Sequence, residues 1–133
     1  MKLYIPEIGS EIRLIEDWTF SLYNEDRNST LMEFINDPRK ITYSKFDAIP
    51  CTIPAGSVLK VDRIYIRKGA EEYSSLTFFW KDRRTKSKMV EKWSTAYFGT
   101  HHADRKDMVK QPARPVRFWA KLSDVNDIVF EPV

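Results

Sequence analysis

A mainly β domain, built as a small antiparallel barrel, is the expectation this chain raises, and three observations carry it. Apolar residues recur with a period of two through most hydrophobic stretches, the spacing of strands with one buried face. Helical periodicity is confined to one or two short segments. The 133 residues are 42% hydrophobic and 14% aromatic, enough to fill the core of one ordinary domain and too much for a disordered chain.

The elements follow in order. Between residues 11 and 23, Ile12, Leu14, Trp18, Phe20 and Leu22 share one parity, and Arg13, Asp17, Thr19 and Ser21 the other. Glu16 breaks the pattern, so this is one bent strand or a tight pair around Glu16-Asp17. Thr30-Leu31-Met32-Glu33 fits a capping box, and Leu31, Phe34 and Ile35 form an apolar stripe that Asn36-Asp37-Pro38 ends. A helix of two turns at most is expected there. Pro54-Ala55-Gly56 has turn chemistry and feeds a stretch rich in β-branched and aromatic residues. Leu59 and Val61 lie on one parity of that stretch, Ile64 and Ile66 on the other. A bulge near Asp62-Arg63 would turn all four inward.

Residues 68–72 suit a hairpin loop into Tyr73–Trp80, where Leu76, Phe78 and Trp80 alternate with Ser75, Thr77 and Phe79. Residues 89–98 fit either state, since Val90, Trp93 and Tyr97 have helical spacing while WSTAYF reads as a strand. Val116, Phe118, Ala120 and Leu122 mark the last strong strand; SDVND is a turn or a single 3₁₀ turn and IVFEPV a short final strand. The expected core is Leu14, Trp18, Phe20, Leu59, Val61, Ile64, Ile66, Leu76, Phe78, Phe118, Ala120, Leu122 and Ile128.

The ending RFWAK, LSDVND, IVFEP resembles the close of SH3-like barrels, including the KOW-type modules of nucleic-acid-associated proteins. PAGSVLKVDRIYIR resembles the way such barrels open a long, bent strand. The resemblance implies an SH3-like five-stranded antiparallel barrel with one or two short helices, spanning residues 1–133 as a single domain. An OB-like barrel is the alternative. Two insertions interrupt the barrel, at about residues 24–53 and 81–115. The blocks IGSEIRLIEDWTFSLYNEDRN, PAGSVLKVDRIYIRKG, SSLTFFW and VRFWAKLSDVNDI together resemble a family of small uncharacterised bacterial and phage proteins. That resemblance implies a fold unit kept whole, in a phage-type accessory protein, and no particular activity.

The chemistry of the sequence is restrained. No apolar run approaches the roughly 18 residues of a membrane span, and the N-terminus lacks the apolar stretch of a signal peptide, so a cytoplasmic protein is expected. Cys51 is the single cysteine, which excludes an internal disulfide and a cysteine-based zinc site. It is expected to be a buried structural thiol. His101 and His102 are adjacent and diverge in an extended chain, so they are read as solvated. Glu16-Asp17, Glu25-Asp26 and Glu71-Glu72 are neighbours in loops rather than carboxyls converging on a cleft. Gly9, Gly56, Gly69 and Gly99 are too far apart for a phosphate-cradling loop. No catalytic, cofactor or metal site is predicted, and a non-enzymatic binding module is the expectation.

Charge supplies the functional signal. The formal net charge of +3 conceals −5 over residues 1–37 and +7 over residues 81–117. Such a basic block favours an anionic partner. Arg63, Tyr65 and Arg67 alternate along one strand, and Arg117, Trp119 and Lys121 along another. Both rows should point outward, where aromatic faces stack on bases and cations meet phosphates. The segment KDRRTKSK adds Lys81, Arg83, Arg84, Lys86 and Lys88 as a cationic loop. DNA or RNA, bound without sequence preference, is the expected partner. The same residues also suit intramolecular cation–π contacts on a sheet face. The alternative is a module that binds or inhibits an acidic protein through a groove lined by Trp18, Tyr23, Tyr43 and Phe46.

Overall fold

Each period-two stretch forms a strand in a computed structural model of the chain, which describes residues 7–35, 48–99 and 101–133. The strands are β1 (Glu11–Leu14), β2 (Trp18–Tyr23), β3 (Ala48–Ile53), β4 (Val58–Tyr65), β5 (Ser75–Arg84), β6 (Lys88–Phe98), β7 (His101–Gln111), β8 (Pro115–Lys121) and β9 (Phe130–Pro132). Two short helices, α1 (Ser29–Ile35) and α2 (Leu122–Val125), complete the regular structure, with 3₁₀ turns at Asp26–Asn28 and Glu71–Tyr73. The chain is mainly β, as expected. None of the described helices is long and apolar enough to cross a membrane.

Three antiparallel sheets form: β8-β5-β4-β1-β9, the pair β2-β3 and the pair β6-β7. The inner face of the five-stranded sheet presents Leu59, Val61, Leu76, Phe78, Val116, Phe118 and Ala120, all fully buried. Against it β2 lays Trp18, Phe20 and Leu22, and β3 lays Ile49, Cys51 and Ile53. Phe20 bridges the layers, stacking on Trp18 at 4.5 Å between centroids and on Phe118 at 5.1 Å. The β1–β2 bend is pinned by Asp17, whose carboxylate accepts the Ala55 amide at 2.7 Å, and by the Gly56 amide donating to the Leu14 carbonyl. Gly56 has φ +88°, a conformation an L side chain would strain.

The bulge lies where expected, with the β4–β5 register shifting between Val61 and Arg63. Val61 is buried and Ile64 packs on the rim of the core. Ile66 departs from expectation at 50% exposed. The strand ends at Tyr65, so nothing holds the next residue to the inward alternation.

The sheet is open rather than a closed five-stranded barrel. Its edges, β8 and β9, do not pair, and side chains from the Asp26–Asn28 turn and α1 occupy the edge of β8. The Trp119 amide donates to Asn28 Oδ1 at 2.8 Å. The Arg117 amide donates to Thr30 Oγ1 at 2.8 Å, and that hydroxyl donates to the Arg117 carbonyl at 2.9 Å. These bonds satisfy backbone groups that a closing strand would otherwise take. They also displace the predicted capping box, since Thr30 is engaged with β8 and Glu33 points elsewhere.

Residues 89–98 form a strand. The second insertion is therefore no loop: β5 runs on to Arg84, and β6 and β7 pair over their whole length from Lys88–Gln111 to Phe98–His101. At the root of this ribbon the Thr85 amide donates to the Arg114 carbonyl and the Arg114 amide to Thr85 Oγ1, each at 2.9 Å.

Candidate nucleic-acid interface

The outer face of the five-stranded sheet is assembled by register. Within β5, Leu76 and Phe78 point to the core, so Ser75, Thr77 and Phe79 take the opposite face. Ser75 pairs with Tyr65 on one side and Lys121 on the other; Thr77 pairs with Arg63 and Trp119; Phe79 pairs with Lys60 and Arg117. The two basic–aromatic rows thus flank β5 on one surface. Lys81 continues that surface, its ammonium 3.2 Å from Glu11, the register partner of Lys60.

The aromatic residues fare differently. Tyr65 is 60% exposed, open to a stacking partner. Trp119 is not. Tyr23 stacks on it at 5.3 Å with planes 9° apart, and the Arg27 guanidinium lies 5.7 Å from its ring centroid. Its indole N–H is buried without an acceptor. The expected stacking platform is therefore already covered, by Tyr23 at the end of β2 and by Arg27 at the start of the first insertion. The Glu25 carboxylate, hydrogen-bonded to Arg27, raises the guanidinium pKa and fixes this cation over the ring. Lys121 in turn sits 5.0 Å from the Tyr23 ring.

Among the cations, Asp62 at the bulge faces two: Arg117 at 3.5 Å and Arg63 at 3.8 Å. Arg117 Nε makes an ion pair there rather than a hydrogen bond, and its guanidinium also lies 6.0 Å from the Phe79 ring. Arg67, just past β4, rests over Tyr73 at 5.8 Å. Arg83 rests over Trp80 at 5.6 Å. Arg84 and Lys86 are exposed and border a groove with Phe34 and Thr85. Lys88 is engaged by Glu33, which also receives Arg114 Nη2 at 2.6 Å. The hydrogen bond from Lys88 outweighs partial burial and, with that from Arg114, holds the Glu33 carboxyl below its ordinary value. Arg63, Tyr65, Lys81, Arg117, Trp119 and Lys121 are thus brought to one sheet, with Arg67 just past the end of β4 and Arg83 and Arg84 at the end of β5. Lys86 and Lys88 belong to the ribbon root.

Sequence reasoning missed Lys60 and Arg27 on that surface, and Lys92, Arg105, Lys106 and Lys110 on the ribbon. The ribbon cations had a signal in the +7 block. Arg27 had none, being embedded in the acidic segment. On the ribbon, Trp93 is 64% exposed, and Met89 and Met108 are 55% exposed.

Of the groove expected for a protein partner, Trp18 and Tyr23 lie among the described residues. Trp18 is core at 2% exposed, with its indole N–H donating to the Asp124 carbonyl at 3.0 Å, and Tyr23 is stacked on Trp119. Tyr43 and Phe46 lie outside the described residues. Cys51 is buried, as expected of a structural thiol, and His101 is exposed at the ribbon tip. Among the described residues no group of three His, Cys, Asp or Glu side chains is placed to hold a metal ion. No family model, no curated protein and no solved structure matches this chain.

Proposed function

We propose that the protein is a non-enzymatic, cytoplasmic nucleic-acid-binding module without strong sequence preference. The observation that carries this is the register across β4, β5 and β8, which lines up Lys60, Arg63, Arg117 and Lys121 on one outward face beside the open ring of Tyr65. Lys81, Arg83 and Arg84 extend the cationic track along the end of β5. Phosphate contacts supply the affinity in such a surface, and it needs no pocket. The succession of β8, a single helical turn and β9 supports reading the sheet as an opened SH3-like unit.

Fluorescence anisotropy with labelled oligonucleotides at several salt concentrations tests the reading. The parent should bind with a steep salt dependence. Changing Arg83, Arg84 and Lys86 to Gln should lower the slope by roughly 0.7–0.9 for each phosphate that is no longer neutralised. Absence of binding at low salt would leave the protein-partner module in its place.

A further inference from the structure

The β6–β7 ribbon is the least expected feature of the chain. Each strand is 11 residues long, about 35 Å at the usual rise per residue. Its strands pack against each other along their length, and firm attachment to the domain occurs at the root, through Thr85, Arg114 and the Glu33–Lys88 pair. An isolated two-stranded ribbon is marginal in water and gains order from a surface that receives it.

Its two faces follow from register. One carries Met89, Glu91, Trp93 and Thr95 beside Lys110, Met108, Lys106 and Asp104. The other carries Lys88, Val90, Lys92 and Ser94 beside Gln111, Val109, Asp107 and Arg105. Cations therefore project from both faces. Lys106 pairs with Glu91 at 2.6 Å and lies 5.8 Å from the Trp93 ring; Arg105 pairs with Asp107 at 3.0 Å. Lys92 and Lys110 have no ion-pair partner among the described residues. Lying in a groove, a ribbon turns one face to the floor and its edges to the walls. The face that carries Met89, Trp93 and Met108, with Lys106 and Lys110 beside them, suits the floor of a nucleic-acid groove, where thymine methyl groups and guanine acceptors are exposed.

Resting on the nucleic-acid reading, the geometry points to double-stranded DNA as the ligand, with the β6–β7 ribbon lying in its major groove. That groove is about 12 Å wide and admits a two-stranded ribbon. The ribbon spans about one turn of duplex. Arg83, Arg84 and Lys86, at the ribbon root, meet the phosphates flanking the groove. Of the two rings in the outward rows, Tyr23 covers Trp119 and Tyr65 stays open, a reduced stacking platform for a single strand.

The test compares a labelled duplex with its single strand in anisotropy, using the parent and a variant with Lys92, Arg105, Lys106 and Lys110 all changed to Gln. Circular dichroism and a thermal melt establish that the variant keeps the parent fold. Dimethyl sulfate footprinting of the duplex reports guanine N7, which faces the major groove. The expected result is preference for duplex, N7 protection by the parent, and loss of duplex affinity by roughly tenfold or more in the variant at moderate salt. Binding by the parent without N7 protection, or duplex binding unchanged in the variant, overturns the ribbon's role and leaves the sheet surface as the binding site. No binding to either oligonucleotide overturns the broader reading as well. Light scattering covers the remaining occupant: a dimer of the parent lost on Trp93→Ser and Met108→Ser assigns the ribbon to a second copy of the chain and overturns the inference.

Discussion

Tyr23 lies almost parallel to Trp119, ring centroids 5.3 Å apart, and so closes over the indole on the outer face of the sheet at its β8 edge. The pair joins the end of β2 to the edge strand β8, with Arg27 and Lys121 as the cations beside it. Trp119 is thereby a structural residue on that face.

Substitution of Trp119 should consequently read out in stability. Trp119→Ala should cost about 2–3 kcal/mol, from lost burial plus an aromatic pair contribution of about 0.5–1.5 kcal/mol. Trp119→Phe should cost under about 1 kcal/mol, because it keeps a ring under Tyr23 and removes a buried N–H that has no acceptor. Thermal melts with Tyr23→Ala, completing a double-mutant cycle, measure the coupling. Equal costs for Phe and Ala would show that the stack contributes nothing.

Asn28 is fully buried and serves two backbone groups: its amide donates to the Tyr23 carbonyl at 3.0 Å and its carbonyl accepts from Trp119. Asn28→Ala strands both. A destabilisation of about 2–4 kcal/mol is expected, since each buried group left unmade costs about 1–3 kcal/mol. Hydrogen exchange at the Trp119 amide should accelerate beyond the global change. An unchanged exchange rate at that amide would place its protection elsewhere.

Phe118 contacts Phe20 and Phe78 from the fully buried face of β8, with centroids at 5.1 and 5.7 Å. Phe118→Ala should cost about 3–5 kcal/mol in a denaturant titration. A midpoint matching the parent would mean that β8 presents its other face to the core.

Glu33 couples stability at the ribbon root to pH. Its folded-state pKa lies below the ordinary 4.5, chiefly through Lys88 and secondly through Arg114. A depressed carboxylate pKa contributes stability above the unfolded value and loses it as pH falls through the folded one. Parent and Glu33→Gln should therefore differ most in melting temperature near neutral pH and converge as the pH drops below about 4.5. A difference that stayed constant into acid would remove Glu33 charge from the account.

Much of this architecture was legible along the chain. Alternation is a local property, so Leu14, Trp18, Phe20, Leu76, Phe78, Phe118 and Ala120 could be assigned to the core from parity. The bulge at Asp62-Arg63 followed the same way, because apolar residues of mixed parity face one core only if an extra residue intervenes. Even the outward rows were readable, as the complement of those inward assignments.

Long-range contacts were not legible. Parity places Trp119 outside but does not reveal that Tyr23 covers it, a contact between residues far apart in the chain. Nor does a capping-box pattern at Thr30-Glu33 tell that the hydroxyl will prefer the backbone of β8 and the carboxylate the ribbon root. The 89–98 segment fits helix and strand alike, and its partner His101–Gln111 settles the matter, since a strand forms only where a second chain segment takes its hydrogen bonds. Local alternation decides which side of a strand is apolar. Pairing, edge coverage and the fate of each exposed ring depend on which segments the fold brings together.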